Sequence, residues 1–165
     1  MTAKRILVPL DGSHTAEAAA DVAADLARSS GGSVRLLQVS PVPEKRMGTA
    51  GRVVASADQE MERFEAEGRD YLEGVGARIA PVPSEAIVRF GEPSAEILVE
   101  ADAFGADMIV LTTGRQGWLK RATGGGLGER ILRVAPVPVL LICVDTPLQI
   151  AEGHPRLHAG LNFQK

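Results

Sequence analysis

Two short stretches of this 165-residue chain carry residue types that can hold an anionic small molecule. The first is Asp11-Gly12-Ser13, which directly follows the apolar run Ile6-Leu7-Val8-Pro9-Leu10. A carboxylate at that point can accept a hydrogen bond from a ribose hydroxyl or help hold a metal; equally, it can open a turn or cap the next helix. The second is Thr112–Gly128, with six glycines at 114, 117, 124, 125, 126 and 128. Glycines let backbone amides approach an anion closely, and a helix starting behind them adds its positive end. Arg115, Lys120 and Arg121 add mobile positive charge. Glycine richness alone also describes a flexible loop, so the place of this stretch in the fold has to decide.

Other chemistries are poorly supplied. The phosphate-loop pattern G-x-x-x-x-G-K-[ST] is absent, as is G-x-G-x-x-G after the first strand. A phosphoacceptor receiver domain needs an Asp ending its third strand and a Lys after its fifth; here stand Phe90-Gly91-Glu92 and Val144-Asp145. No G-x-S-x-G elbow occurs. His14 reads as a solvent-facing residue at a helix start. His154 and His158 have metal-ligand spacing, but Pro155 lies between them and no third ligand is near. Cys143, in an apolar strand, reads as a core residue. Trp118 covers the crevice, anchors a partner or packs on its own loop. The chain is therefore expected not to be an enzyme, and at most a slow ATPase.

The elements that must position the two stretches alternate in type. Ile6–Leu10 is the first strand, and Ser13–Ser30 is a helix with Ser13 as N-cap and Gly31-Gly32 as its stop. Val34–Val39 is the second strand, followed by a mixed loop over 41–55 and a charged helix from Ser56 to Ala77 whose apolar side is Met61, Phe64, Tyr71 and Leu72. Ala86–Phe90 is the third strand. Pro93 fits the first turn of the next helix, with Ala95, Leu98, Val99 and Ala101 expected to face inward. Asp107–Leu111 is the fourth strand, a short helix lies near Glu129–Val134, and Val137–Ile142 is the fifth strand. This alternation predicts an α/β fold: an open five-stranded parallel sheet, order 3-2-1-4-5, with helices on both faces, Rossmann-like. Ligands in such sheets sit beyond the carboxyl ends of the strands where the order reverses. That point lies between strands one and four, whose carboxyl ends are the two stretches above.

The length suits one domain, assigned to 1–145, with a polar, loosely held tail over 146–165. Net charge is −3 without a run of like charge, which opposes nucleic-acid binding. A lone cysteine, no signal-peptide pattern and no membrane-length apolar run predict a cytoplasmic protein that does not enter membranes.

Several blocks in order resemble the universal stress protein family over nearly all of residues 4–144. They are Arg5-Ile6-Leu7-Val8-Pro9-Leu10-Asp11-Gly12-Ser13, then Gly91-Glu92-Pro93-Ser94-Ala95-Glu96-Ile97-Leu98, Ala106-Asp107-Met108-Ile109-Val110, Gly125-Gly126-Leu127-Gly128-Glu129-Arg130-Ile131-Leu132 and Ala135-Pro136-Val137-Pro138-Val139-Leu140. The resemblance implies a stress-response homodimer and in one branch an ATP or AMP site, with Mg accompanying ATP and no structural metal; Val137–Ile142, an apolar edge strand, is expected to pair with its twin in that dimer. Carried over, the nucleotide would meet Pro9, Leu10, Asp11, Val39, Leu111, Thr112, Gly114, Arg115, Gly125, Gly126 and Leu127. The family's phosphate loop, G-x-x-G-x₉-G-[ST], is altered. Aligned without gaps its positions are Thr112, Arg115, Gly125 and Gly126; shifted to Gly114 and Gly117, only seven residues precede Gly125. Loss of the hydroxyl costs about 1.5–3 kcal/mol of phosphate binding, which further loop amides and Arg115 can offset. The alternative is the same fold as a protein-interaction module without nucleotide.

Overall fold

Chain direction reverses at Gly31-Gly32 because each glycine meets a different constraint. Gly31 has φ +64°, a left-handed conformation that ends the first helix. A Cβ on Gly32 would lie 2.5 Å from the Lys4 carbonyl oxygen. That closeness lets Ser33 N–H donate to the same carbonyl at 2.7 Å, which starts the first ladder of the sheet. Gly32→Ala is expected to cost about 1–3 kcal/mol, as overpacking against backbone does. Gly31→Ala, with open space around it, should lose about 1 kcal/mol to backbone strain alone. Urea unfolding of the two variants checks the difference.

The computed structural model describes residues 3–43, 46–47, 53–55, 57–114 and 126–144. Its elements are β1 (Arg5–Leu10), α1 (His14–Ser30), β2 (Ser33–Ser40), β3 (Arg46–Met47), β4 (Val53–Ala55), α2 (Ala57–Arg78), β5 (Ser84–Phe90), α3 (Pro93–Phe104), β6 (Met108–Gly114), α4 (Leu127–Val134) and β7 (Val139–Val144). The main sheet runs β5-β2-β1-β6-β7, with every pair parallel. Setting aside the small antiparallel β3–β4 pair, this is the expected 3-2-1-4-5. That pair sits inside what the sequence reads as a loop; two and three residues are too short to show a period.

Side chains alternate between the two sheet faces. Ile6, Val8, Leu10, Val34, Leu36 and Val110 pack with the Ala stripe of α1 and with Leu72 and Val75 of α2. Leu7, Leu37, Ile109 and Leu111 pack with Ile97 and Ala101 of α3 and Ile131 of α4. Alanines at 16, 19, 20, 23, 24 and 27 let α1 lie close to the sheet.

Two side-chain placements differ from expectation. In α3 the inward face is Ser94, Ile97, Glu100 and Ala101, while Ala95 and Val99 are exposed. Glu100 goes inside because two arginines wait there. Arg35 Nη1 donates to its carboxylate at 2.7 Å, and Arg89 Nε donates to the other oxygen. Arg35 also bonds Glu85 and lies 4.1 Å from the Phe104 ring centre. Burial works against the Arg35 charge, yet its bonds to Glu85 and Glu100 outweigh this and raise its pKa. The second difference is Cys143, which is exposed on β7 rather than packed in the core. β7 is an edge strand, so the period of an apolar run does not tell which residues another layer covers.

Candidate functional site at the switch point

The crevice is opened by a proline. Lys4 offers its carbonyl to Ser33 and Arg5 offers its carbonyl to Asp107, so backbone groups of even residues in β1 face β2 and those of odd residues face β6. Pro9 is odd, and the N–H it lacks belongs to the β6 side. Accordingly β1 pairs with β2 from Arg5 through Leu10, but with β6 only at Ile6 and Leu7. Beyond that point the two strands part.

The resulting cleft measures about 140 Å³ and is lined by Pro9, Leu10, Asp11, Ala16, Val39, Pro93, Ile97, Leu111, Thr112 and Leu127. Seven of these are the residues nominated from sequence: Pro9, Leu10, Asp11, Val39, Leu111, Thr112 and Leu127. Gly114 ends β6, beyond the lining, and Gly126 precedes α4. Arg115 and Gly125 lie outside the described residues, as do Lys120, Arg121, Trp118 and the tail from 145 onward. Ligand pockets commonly span roughly 300–1,000 Å³, so this cleft accommodates a ring-sized group, not a whole nucleotide. A larger concavity of about 660 Å³ lies between α2 and the start of β5, away from the switch point.

Asp11 fills one of the roles expected of it, the opening of a turn. Its Oδ1 accepts from Ser13 N at 2.9 Å and from Ser13 Oγ at 2.6 Å, a turn in which Gly12 takes φ +85°. Ser13, not Asp11, caps α1: its Oγ accepts from Ala16 N at 3.2 Å. The turn holds the Asp11 carboxylate at the cleft wall. His14 points into solvent, 3.5 Å from Glu17.

Three lining residues, Ala16, Pro93 and Ile97, escaped the sequence reading. The Gly91-Glu92-Pro93 turn at the carboxyl end of the third strand carried a signal for the last two. Beside them, Glu92 ties α3 to α4. Its carboxylate accepts from Ser94 Oγ at 2.6 Å and Ala95 N at 2.9 Å, capping α3, and from Arg130 Nη2 at 2.6 Å. The Ser94 hydroxyl first, then the Ala95 amide and Arg130, hold the Glu92 pKa down to about 2. At α4 the N-cap is Gly126, with no side-chain cap bond and open space where a Cβ would stand. Among the described residues no cluster of ligands suits a metal ion, and no helix is long and apolar enough to cross a membrane.

The low pKa of Glu92 has company. Backbone amides of Arg5 and Lys4 lower Asp107, and the bond from Arg78 lowers Glu17. A carboxylate depressed in the fold binds fewer protons than its unfolded counterpart, so stability rises with pH across that window. The contribution is fully present above the unfolded pKa and disappears as pH falls through the folded one. For Glu92 the window runs from 4.5 down to about 2. Thermal melts between those values should show falling stability, and Glu92→Gln should flatten the profile.

Comparison with known proteins agrees with this architecture. A family model described as the universal stress protein family matches residues 2–142. A protein of Staphylococcus haemolyticus assigned to the universal stress proteins is 29% identical over 143 residues, covering 86% of each chain. A universal stress protein solved in complex with cAMP superposes with TM-score 0.63 at 19% identity, covering 87% of this chain and 98% of that one. One from Archaeoglobus fulgidus, solved with dAMP, has TM-score 0.53 at 21% identity, covering 86% and 99%. With a family model spanning nearly the whole sequence and the same sheet order in place, the chain belongs to the universal stress protein family.

Proposed function

We propose that this chain binds an adenine nucleotide, AMP or ATP, in the cleft between β1 and β6 and acts in stress response as a non-catalytic homodimer. The observation that carries the reading is convergence. Seven residues nominated from sequence, drawn from β1 and the turn after it, β2, β6 and α4, line one cleft at the reversal of strand order. Its size suits the base, flanked by Val39, Ile97 and Leu111, with Asp11 at hand for a ribose hydroxyl. The phosphates then extend toward Gly114, Arg115, Gly125 and the start of α4 at Gly126, where the positive end of the helix favours negative charge. Mg accompanies ATP. The cAMP and dAMP complexes of related proteins support the adenine preference. Titration of nucleotide-free protein with AMP and ATP tests the reading; folded protein that binds neither at millimolar concentration would sink it.

One observation favours the second reading, an interaction module without nucleotide: Gly126 stands where the family loop has its phosphate-binding hydroxyl. The two readings share the dimer. β7 is an edge strand, and Leu140 on it is 37% exposed. Pairing two copies of β7 removes an open edge. Leu140→Arg should convert a dimer to a monomer in sedimentation velocity; a dimer that survives would place the contact elsewhere.

A further inference from the structure

We propose that Glu92, Ser94 and Arg130 form a positioning latch that sets how far α4 stands from α3, and so the width and affinity of the cleft, without touching ligand. The inference rests on the nucleotide reading above for its affinity arm. Its structural arm stands by itself.

α4 meets its surroundings through apolar packing and through Arg130. Of its eight residues only Ile131 is buried. At its start Gly128 lies against Leu141 of β7, where a Cβ would be 2.9 Å from the leucine Cδ1. Ile131 packs with Ile97 and Ala101 of α3 and with Leu7, Leu37, Ile109 and Leu111 of the sheet. Leu127 is the α4 residue that lines the cleft. It precedes Ile131 by four residues, roughly 6 Å along the helix at ~1.5 Å per residue.

Arg130 adds a polar restraint to that packing. It neighbours Ile131 in sequence yet reaches sideways to α3, where Nη2 donates to Glu92 Oε1 and to Ser94 Oγ, each at 2.6 Å. Ser94 is nearly buried, and its hydroxyl donates to Glu92 Oε2. The three groups thus form a closed triangle whose α3 side is already fixed by the helix cap. Pro93 and Ile97 line the cleft from the same end of α3. An exposed ion pair by itself contributes little to global stability. Here its effect is on geometry, because it joins the two helices that bracket the cleft.

Glu92→Gln and Arg130→Met test this. The glutamine carbonyl still caps Ala95, so the first variant removes the charge pair and spares the cap. Hydrogen exchange of α4 amides in nucleotide-free protein should quicken in both variants and equally in the double variant; unchanged exchange overturns the latch whatever the protein binds. In titrations, both variants should weaken adenosine and AMP by the same factor, about three- to tenfold. If Arg130→Met weakens AMP alone, or Glu92→Gln tightens AMP, Arg130 is a direct phosphate ligand and the positioning role is wrong. Absence of AMP binding in the unsubstituted protein would count against the nucleotide reading, leaving the exchange result to judge the latch.

Discussion

Glu100→Ala should destabilise the fold by about 3–5 kcal/mol, the cost of leaving buried charge without its partner. Glu100 is 2% exposed and is held between Arg35 of β2 and Arg89 of β5. Removing it strands two guanidinium groups against the α3 face of the sheet, with Glu85 and Glu96 at the rim to share them. For a chain of this size the loss corresponds to a melting temperature lower by roughly 6–20 °C. Denaturant unfolding measures it directly. A triple variant, Arg35→Met with Arg89→Met and Glu100→Leu, should recover most of the loss, since an apolar cluster of similar volume replaces an ion network at little cost. A single-variant loss below about 1 kcal/mol would mean that water reaches the arginines and the network is not buried in solution.

The second large effect concerns binding. Val39→Trp should lower affinity for AMP at least ~100-fold, about 2.7 kcal/mol, because an indole placed at the end of β2 fills a cleft of about 140 Å³. The side chain enters existing space at a half-buried position, so circular dichroism and melting should stay close to the parent. Leu140→Arg, on the far edge of the sheet, should leave intrinsic nucleotide affinity unchanged per chain. Equal affinity in Val39→Trp and the parent would move the ligand out of this cleft, with the concavity between α2 and β5 as the next place to block.

Much of this fold is legible because local rules and tertiary needs agree. Ser13 before an Ala-periodic run and Gly31 after it are a cap and a stop, and both serve as such. Short runs rich in Val, Ile and Leu, spaced by helical patterns, leave a parallel sheet as the economical arrangement. Strand order then places Asp11 and Thr112 side by side although one hundred residues separate them in sequence.

α3 shows where this legibility ends. A helix with apolar residues at 95, 97, 98, 99 and 101 has no single apolar stripe, and charge alone would put Glu100 outside. It lies inside because Arg35 and Arg89, from strands far away in sequence, meet on the face that α3 covers. The site divides the same way. The sequence by itself determined the element order, the glycine turns and the residue types at the ends of the first and fourth strands, since these follow from backbone and periodicity rules within a few residues. Only the tertiary structure decided that the missing amide of Pro9 faces β6 and parts the strands there, that Pro93 and Ile97 close the cleft, and that Arg130 ties α4 to Glu92. Those outcomes depend on which neighbour each backbone group and side chain meets across the sheet, and no local pattern encodes that.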